Sequence, residues 1–235
     1  MNRAAKQQGF TIIELMLAMS FVAALLLAVA LTILQIGTIY NKGLTLKEVN
    51  QTGRSISDDL TRNIGASTAF SVNTNYVSIP NVGGRLCTGQ FSYIWNYANA
   101  LQNNATGITE YATSTTPVRF VKVPDAANAY CARNGAPLLY PDIRAADVSK
   151  AVELLKTGDR TLSIHQFSLF SPPNGSDPLT GQQVYTLSFT IGTGEVAALT
   201  SDQTACLPPG SPGSNFSYCA VQQFTLVIRA GNRIN

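Results

Sequence analysis

The chain has 235 residues, 45% of them apolar and 12% charged, with 16 Lys/Arg against 13 Asp/Glu and a formal net charge of +3. That is enough material for one membrane helix and one globular head with a core of its own. From residue 66 onward ten Lys/Arg stand against nine Asp/Glu, so the head is close to neutral and lacks the electrostatic footprint of a nucleic-acid binder.

Residues 1–9 (MNRAAKQQG) are polar, with the cations Arg3 and Lys6 and no acid, and from Phe10 to Tyr40 the only charged residue is Glu14. Leu15 to Tyr40 makes about 39 Å of helix at ~1.5 Å per residue, enough to span a hydrocarbon core of ~30 Å. One carboxylate at the centre of such a span costs roughly 2.5–3.5 kcal/mol, so Glu14 needs a partner. A cut after Gly9 would create one, the α-amino group of Phe10, whose ordinary pKa of about 8 keeps it cationic and able to pair with Glu14 of a neighbouring copy. A general secretory signal is the first alternative, with Arg3 and Lys6 as its basic region and Ala28-Val29-Ala30 as an A-x-A cleavage site. Against it, Glu14 interrupts the apolar region and the run continues through Leu31, Ile33, Leu34 and Ile36. A plain single-pass anchor is physically sound but leaves Glu14 and the Gly9/Phe10 junction without a role.

The stretch Gly9-Phe10-Thr11-Ile12-Ile13-Glu14-Leu15-Met16 behind its basic leader resembles the class III signal of type IV pilins and type II secretion pseudopilins. The resemblance covers about residues 1–64. It implies cleavage after Gly9 by a membrane prepilin peptidase, N-methylation of Phe10, and assembly through the N-terminal helix with Glu14 as the assembly charge. The positive leader marks the cytoplasmic end. The expectation is therefore a single-pass cytoplasmic (inner) membrane protein with its head outside, later part of a pilus or pseudopilus. The implied partners are other pilin subunits, the prepilin peptidase, an inner-membrane assembly platform and, before assembly, membrane lipid.

After Tyr40 the sequence turns amphipathic. Val49, Ile56, Leu60 and Ile64 recur on one helical face, while Lys47, Arg54, Asp58, Asp59 and Arg62 lie mostly off it. One continuous helix is expected from about Phe10 to Ile64, closed by Gly65 at the C′ position. No proline precedes Pro80. Major type IV pilins often carry a helix-bending proline in the membrane half, so the resemblance is nearer to a minor pilin or pseudopilin. The tract GRSISDDLTRNI is similar to the segment after the membrane helix in W-type minor pilins and J-type pseudopilins. The expected organisation is leader 1–9, membrane or filament-core helix 10–40, amphipathic helix 41–65 and head 66–235.

The head reads as strands between turns: Tyr76 to Pro80, Phe91 to Tyr97, Val118 to Val123, Leu162 to Phe170, Val184 to Ile191 and Val221 to Arg229. Tyr185, Leu187, Phe189 and Ile191 alternate with polar neighbours in a half-buried antiparallel pattern, and Phe224, Leu226 and Ile228 repeat it. Between Leu162 and Phe170 the apolar phase slips, which a β-bulge near His165-Gln166 would reconcile. Ala145 to Lys156 reads as a short helix with Asp142 as N-cap, a face of Val148, Val152 and Leu155, and Gly158 as its end. A long helix followed by antiparallel strands makes the fold α+β, in agreement with the pilin fold, in which the helix packs across a small sheet.

Cys206 and Cys219 enclose LPPGSPGSNFSY, a loop by composition. Pilins often carry such a cysteine-bounded loop near the C-terminus, and a bridge there would stabilise by ~3 kcal/mol in the chain-entropy picture. By elimination Cys87 pairs with Cys131, although four cysteines allow three pairings and the sequence does not choose among them. All four lie in the head, an even number suited to an oxidising compartment. A metal site is the rival use of cysteine, but no C-x-x-C occurs and His165 is the only histidine.

No nucleophile elbow, phosphate loop, dinucleotide fingerprint or zinc-protease motif is present. His165 reads as structural, Asp58-Asp59 as a solvated helix face, and neither enzyme activity, cofactor nor metal is expected. The sequons at Asn50, Asn104, Asn174 and Asn215 carry little weight behind a leader of bacterial type. Phe91, Tyr93, Trp95 and Tyr97 share one strand face. Exposed, such a face could bind sugars or bases at a filament tip; the reading preferred here packs it against the long helix. The tip-binding alternative would draw its contact surfaces from this strand, the Asn96–Asn104 loop and the disulfide-bounded loop.

Overall fold

The computed structural model describes residues 11–132, 140–155 and 161–231. They divide into two compact units, one ending at Asn41 and one beginning at Lys42. From Ile12 on, the described residues of the first unit are helical and their large apolar side chains are exposed, from Ile12 at 79% to Tyr40 at 65%. It belongs to α1, Ile12–Gly65, whose later turns form part of the second unit.

Within the second unit α1 buries Thr45, Val49, Gly53, Ile56, Ser57, Leu60 and Ile64. The sequence pattern finds the four apolar members; the small residues between them complete the same face. Gly65 is the last helical residue and has no left-handed φ. The expected glycine C′ cap is thus replaced by Ser67, whose N–H and hydroxyl both donate to the Ile64 carbonyl, at 3.1 and 2.7 Å.

The chain continues through α2 (Val72–Asn75), β1 (Tyr76–Ile79), β2 (Gly83–Cys87), β3 (Phe91–Asn96), α3 (Ala98–Gln102), β4 (Glu110–Tyr111), β5 (Thr116–Pro117) and β6 (Phe120–Pro124). Then come α4 (Ala145–Val148), β7 (Val152–Glu153), β8 (Leu162–Phe170), β9 (Gln183–Thr193) and β10 (Val221–Ala230). The strands form a five-stranded antiparallel sheet in the order β1-β2-β3-β6-β7, a three-stranded antiparallel sheet β10-β9-β8, and the small pair β4-β5. A single parallel bridge, Tyr97 to Ile164, links the end of β3 to β8. The fold is α+β, with the polar half of a long helix against antiparallel sheets. The expected bulge is present: the β8–β9 register shifts between Ile164 and Gln166.

Two further departures from the sequence reading have identifiable reasons. Strand β2 (GGRLC) is not among the expected strands, because its two leading glycines carry no side chains to show an alternating pattern. The glycines are needed because a Cβ on Gly83 would lie 2.1 Å from the Trp95 carbonyl oxygen, and one on Gly84 would lie 2.4 Å from the Trp95 ring. The helix expected from Ala145 stops after one turn. Asp142 does not cap it; its carboxylate accepts the Glu110 N–H at 2.9 Å. Val152-Glu153 extends the sheet instead, held by the Glu153 carboxylate, which accepts the N–H groups of Phe120 (2.7 Å) and Arg119 (3.2 Å). Burial raises the Glu153 pKa, and those N–H groups oppose the shift. Lys156 and Gly158 lie outside the described residues.

Strand β3 is covered on both sides. Tyr93 and Trp95 join the main core with Ile56, Leu60, Phe167 and Phe189, whereas Ile94 joins a second core with Val121, Val123, Tyr130 and Ile143. The second core is tied by Asp125, which accepts from Ser92 Oγ at 2.7 Å and the Tyr130 N–H at 3.1 Å. It is tied again by Arg85, which is 2% exposed and whose guanidinium donates to the carbonyls of Tyr130 and Pro141 and to Thr109 Oγ1.

Candidate functional site

Gly9 and Phe10 lie outside the described residues. Glu14 is the first of the singled-out residues to be placed, and it is not an isolated charge. Its carboxylate accepts the Thr11 N–H at 2.9 Å and the Thr11 hydroxyl at 2.8 Å, while the Glu14 N–H donates to Thr11 Oγ1 at 3.3 Å. Thr11 is the residue before the first helical position and Glu14 the third helical residue, so the pair is a reciprocal capping box that satisfies donors the helix would otherwise leave open. The signal was in the sequence as Thr-x-x-Glu before an apolar run. Beyond it, among the described residues, α1 is the one helix long and apolar enough to cross a membrane.

The second unit begins with a cation. Lys42 Nζ donates to the Cys219 carbonyl at 2.6 Å and lies 4.6 Å from the Phe216 ring centroid. Thr45 Oγ1 reaches the Ser217 carbonyl at 3.4 Å. Partial burial holds the Lys42 ammonium below its ordinary pKa. These contacts moor the loop closed by the Cys206–Cys219 disulfide. The other disulfide joins Cys87 to Cys131, 44 positions apart, and links β2 to the segment after β6. Both pairings agree with those expected.

The aromatic strand is core. Tyr93 and Trp95 are 0% exposed, and the Trp95 ring stacks on Phe167 with centroids 4.1 Å apart and meets Phe120 edge-on. Its ring partners come from strands; the packing expected against the long helix occurs at Tyr93, whose hydroxyl donates to Asp59 Oδ2 at 2.8 Å. That bond corrects the reading of Asp58-Asp59. Asp58 is exposed, but Asp59 is half-buried and also takes the Lys122 ammonium at 2.8 Å. The Asn96–Asn104 stretch is likewise only partly surface. Asn96 is buried, its Nδ2 donating to the carbonyls of Thr109 and Val118 and its Oδ1 accepting the Thr109 N–H, while Gln102, Asn103 and Asn104 are exposed.

His165 is buried in β8, with Nε2 3.1 Å from the Thr193 carbonyl and Nδ1 3.1 Å from the Gln203 amide, and burial lowers its pKa. Its hydrogen-bond partners among the described residues are the Gln203 amide and the Thr193 carbonyl, neither of them a carboxylate or a nucleophile. Among the described residues no cluster of three or more His, Cys, Asp or Glu is placed to hold a metal ion. The geometry therefore concentrates on the N-terminal helix, its self-capped start and the moored loop where the head begins. Comparison of the chain with protein-family models, with curated proteins and with solved structures finds no match to any of them.

Proposed function

We propose that the chain is a structural subunit, a minor pilin or pseudopilin, of a type IV pilus or type II secretion-like filament. The observation that carries this reading is α1 itself. One uninterrupted helix, Ile12–Gly65, is apolar and exposed over its first part, holds Glu14 as the only charge there, and packs its later turns on an antiparallel head. An exposed apolar helix has to be covered by lipid or by other helices. In this reading lipid covers it first, and the helices of neighbouring subunits cover it after prepilin peptidase has cut behind Gly9 and Phe10 has been N-methylated. The assembly platform of the inner membrane would carry out the transfer.

The capping box sharpens the test of Glu14. Glutamine serves as well as glutamate at the third position of such a box, so Glu14→Gln keeps the cap and removes the charge. Glu14→Ala removes both. If the charge pairs with the Phe10 amine of a neighbour, both variants insert in the membrane and both fail to enter filaments. Filaments that admit Glu14→Gln at the normal level overturn the pairing. Mass analysis of the mature N-terminus is the companion measurement: a methylated Phe10 is the expected start, and a start at Leu31 would establish the secretory-signal alternative.

A further inference from the structure

Where the bridge between Tyr97 and Ile164 joins the two larger sheets, a recess of about 340 Å³ opens on the surface of the head. Its deepest residues, His165 and Phe167, are each 5% exposed, while Asn81 and Gln166 stand exposed at its rim. No residue that lines it carries a carboxylate, an ammonium or a guanidinium group. Burial, which lowers the His165 pKa, keeps that ring neutral at neutral pH.

Several side chains here have one polar end tied to the protein and the other left open. Asn99 Oδ1 accepts from Asn103 Nδ2 at 2.8 Å, which leaves the Asn99 Nδ2 to donate elsewhere. Gln166 Nε2 donates to the Asp202 carbonyl at 3.1 Å, which leaves its Oε1. The Thr193 carbonyl can only accept, so His165 presents Nε2–H to it. The neutral ring then accepts at Nδ1 from the Gln203 amide, and Gln203 keeps its carbonyl oxygen. Among the described residues the Tyr97 hydroxyl and the Asn81 amide hold no hydrogen bond. The backbone is also unusual at this place. Asn81 has φ 59° and Gln203 φ 56°, the second without the short side chain that eases the left-handed region. In the β8 bulge His165 is the residue without a β9 partner. Such conformations and bulges gather at ligand sites.

We propose that this recess binds one unit of a neutral sugar. Each sugar hydroxyl both donates and accepts, and the open groups offer both: donors at Asn99 and Asn81, acceptors at Gln166 and Gln203, and either at Tyr97. The C–H face of the ring needs an apolar surface, which Phe167 and Pro80 supply. A charged ligand finds no counter-charge here. The volume lies near the lower end of the roughly 300–1,000 Å³ of small-molecule sites, which suits a single sugar unit. The site belongs to the head alone and goes beyond the filament reading, which it does not need.

The test is saturation-transfer NMR on the full chain in phosphatidylcholine nanodiscs, with the methyl glycosides of glucose, galactose, mannose and N-acetylglucosamine as probes. At least one of them should bind. Tyr97→Phe deletes an oxygen that holds no partner in the free protein, and Asn81→Gly removes an amide at a φ that glycine adopts readily, so neither change threatens the fold. Each should weaken the binding roughly fivefold, whereas Thr225→Ala, on exposed β10 outside the recess, should leave it unchanged. Binding by none of these glycosides, or binding that both recess variants leave intact, overturns the site. Methyl glucuronide binding more tightly than methyl glucoside overturns the neutral ligand. N-acetylglycine methylamide binding as well as the best glycoside overturns sugar as the class.

Discussion

At the scale of single residues the head is organised around Trp95. The aromatic alternation of Phe91, Tyr93, Trp95 and Tyr97 is plain in the sequence; what covers it is not. The cover comes from β8 and from a strand whose two glycines disguise it. Gly84 leaves the space that the indole fills, and Phe167 stacks on the other side. Truncating this ring removes a large buried surface and leaves a cavity bounded by two sheets. Trp95→Ala should therefore cost about 3–5 kcal/mol, read as a lowered denaturant midpoint for the full chain in detergent. A loss under about 1 kcal/mol would contradict the packing described, because only an exposed aromatic is removed so cheaply. The burial also withdraws Trp95 from any contact surface.

At the scale of elements, the junction of α1 with β10 makes a prediction whose sign is informative. Gly53 lies on the buried helical face, and a Cβ there would stand 2.1 Å from Phe224 Cε2. Replacing glycine by alanine in an open helix gains about 1 kcal/mol, yet here the added methyl must displace a ring that stacks on Phe189 with centroids 5.2 Å apart. Gly53→Ala should destabilise the head by about 1–3 kcal/mol. Combined with Phe224→Leu the penalty should shrink, so a double-mutant cycle will show positive coupling, whereas additive losses would refute the close approach. This junction also shows what was legible beforehand. Periodicity reveals the helix and its apolar face because 3.6-residue recurrence reflects burial directly. It cannot show that Gly53 belongs to that face, since a missing side chain has no hydropathy. Strand β7 was hidden for a related reason: Val152 and Leu155 fit a helical face, but the deciding interaction is the Glu153 carboxylate on the backbone of β6, a long-range bond that local pattern does not contain. At the N-terminal site the capping box of Thr11 and Glu14 is legible in four letters, Thr-Ile-Ile-Glu, the same letters that carry the lone charge.

At the scale of the whole molecule, two disulfides divide the work of holding the head together. The Cys87–Cys131 bridge spans 44 positions and the Cys206–Cys219 bridge 13. Loop-closure entropy assigns them about 4 and about 3 kcal/mol respectively, and the difference should be visible in paired serine substitutions. Cys87→Ser with Cys131→Ser should lower the unfolding midpoint more, since it also loosens the second core around Ile94 and Tyr130. Cys206→Ser with Cys219→Ser should free the loop at Lys42 and leave that core intact, so proteolysis would cut near Pro208–Gly213 first. Equal losses, or the reverse order, would show that the loop carries more of the head than its contacts imply. The self-capped start of the helix has a last consequence for a subunit of the proposed kind. Because Glu14 already holds three hydrogen bonds with Thr11, docking to a neighbour is an exchange of partners and not the rescue of a stranded charge. What the neighbour's amine would add at that point is the opposite charge, which the Thr11 hydrogen bonds do not supply, so a subunit could step from lipid into a fibre and gain that attraction without its carboxylate ever losing every hydrogen-bond partner.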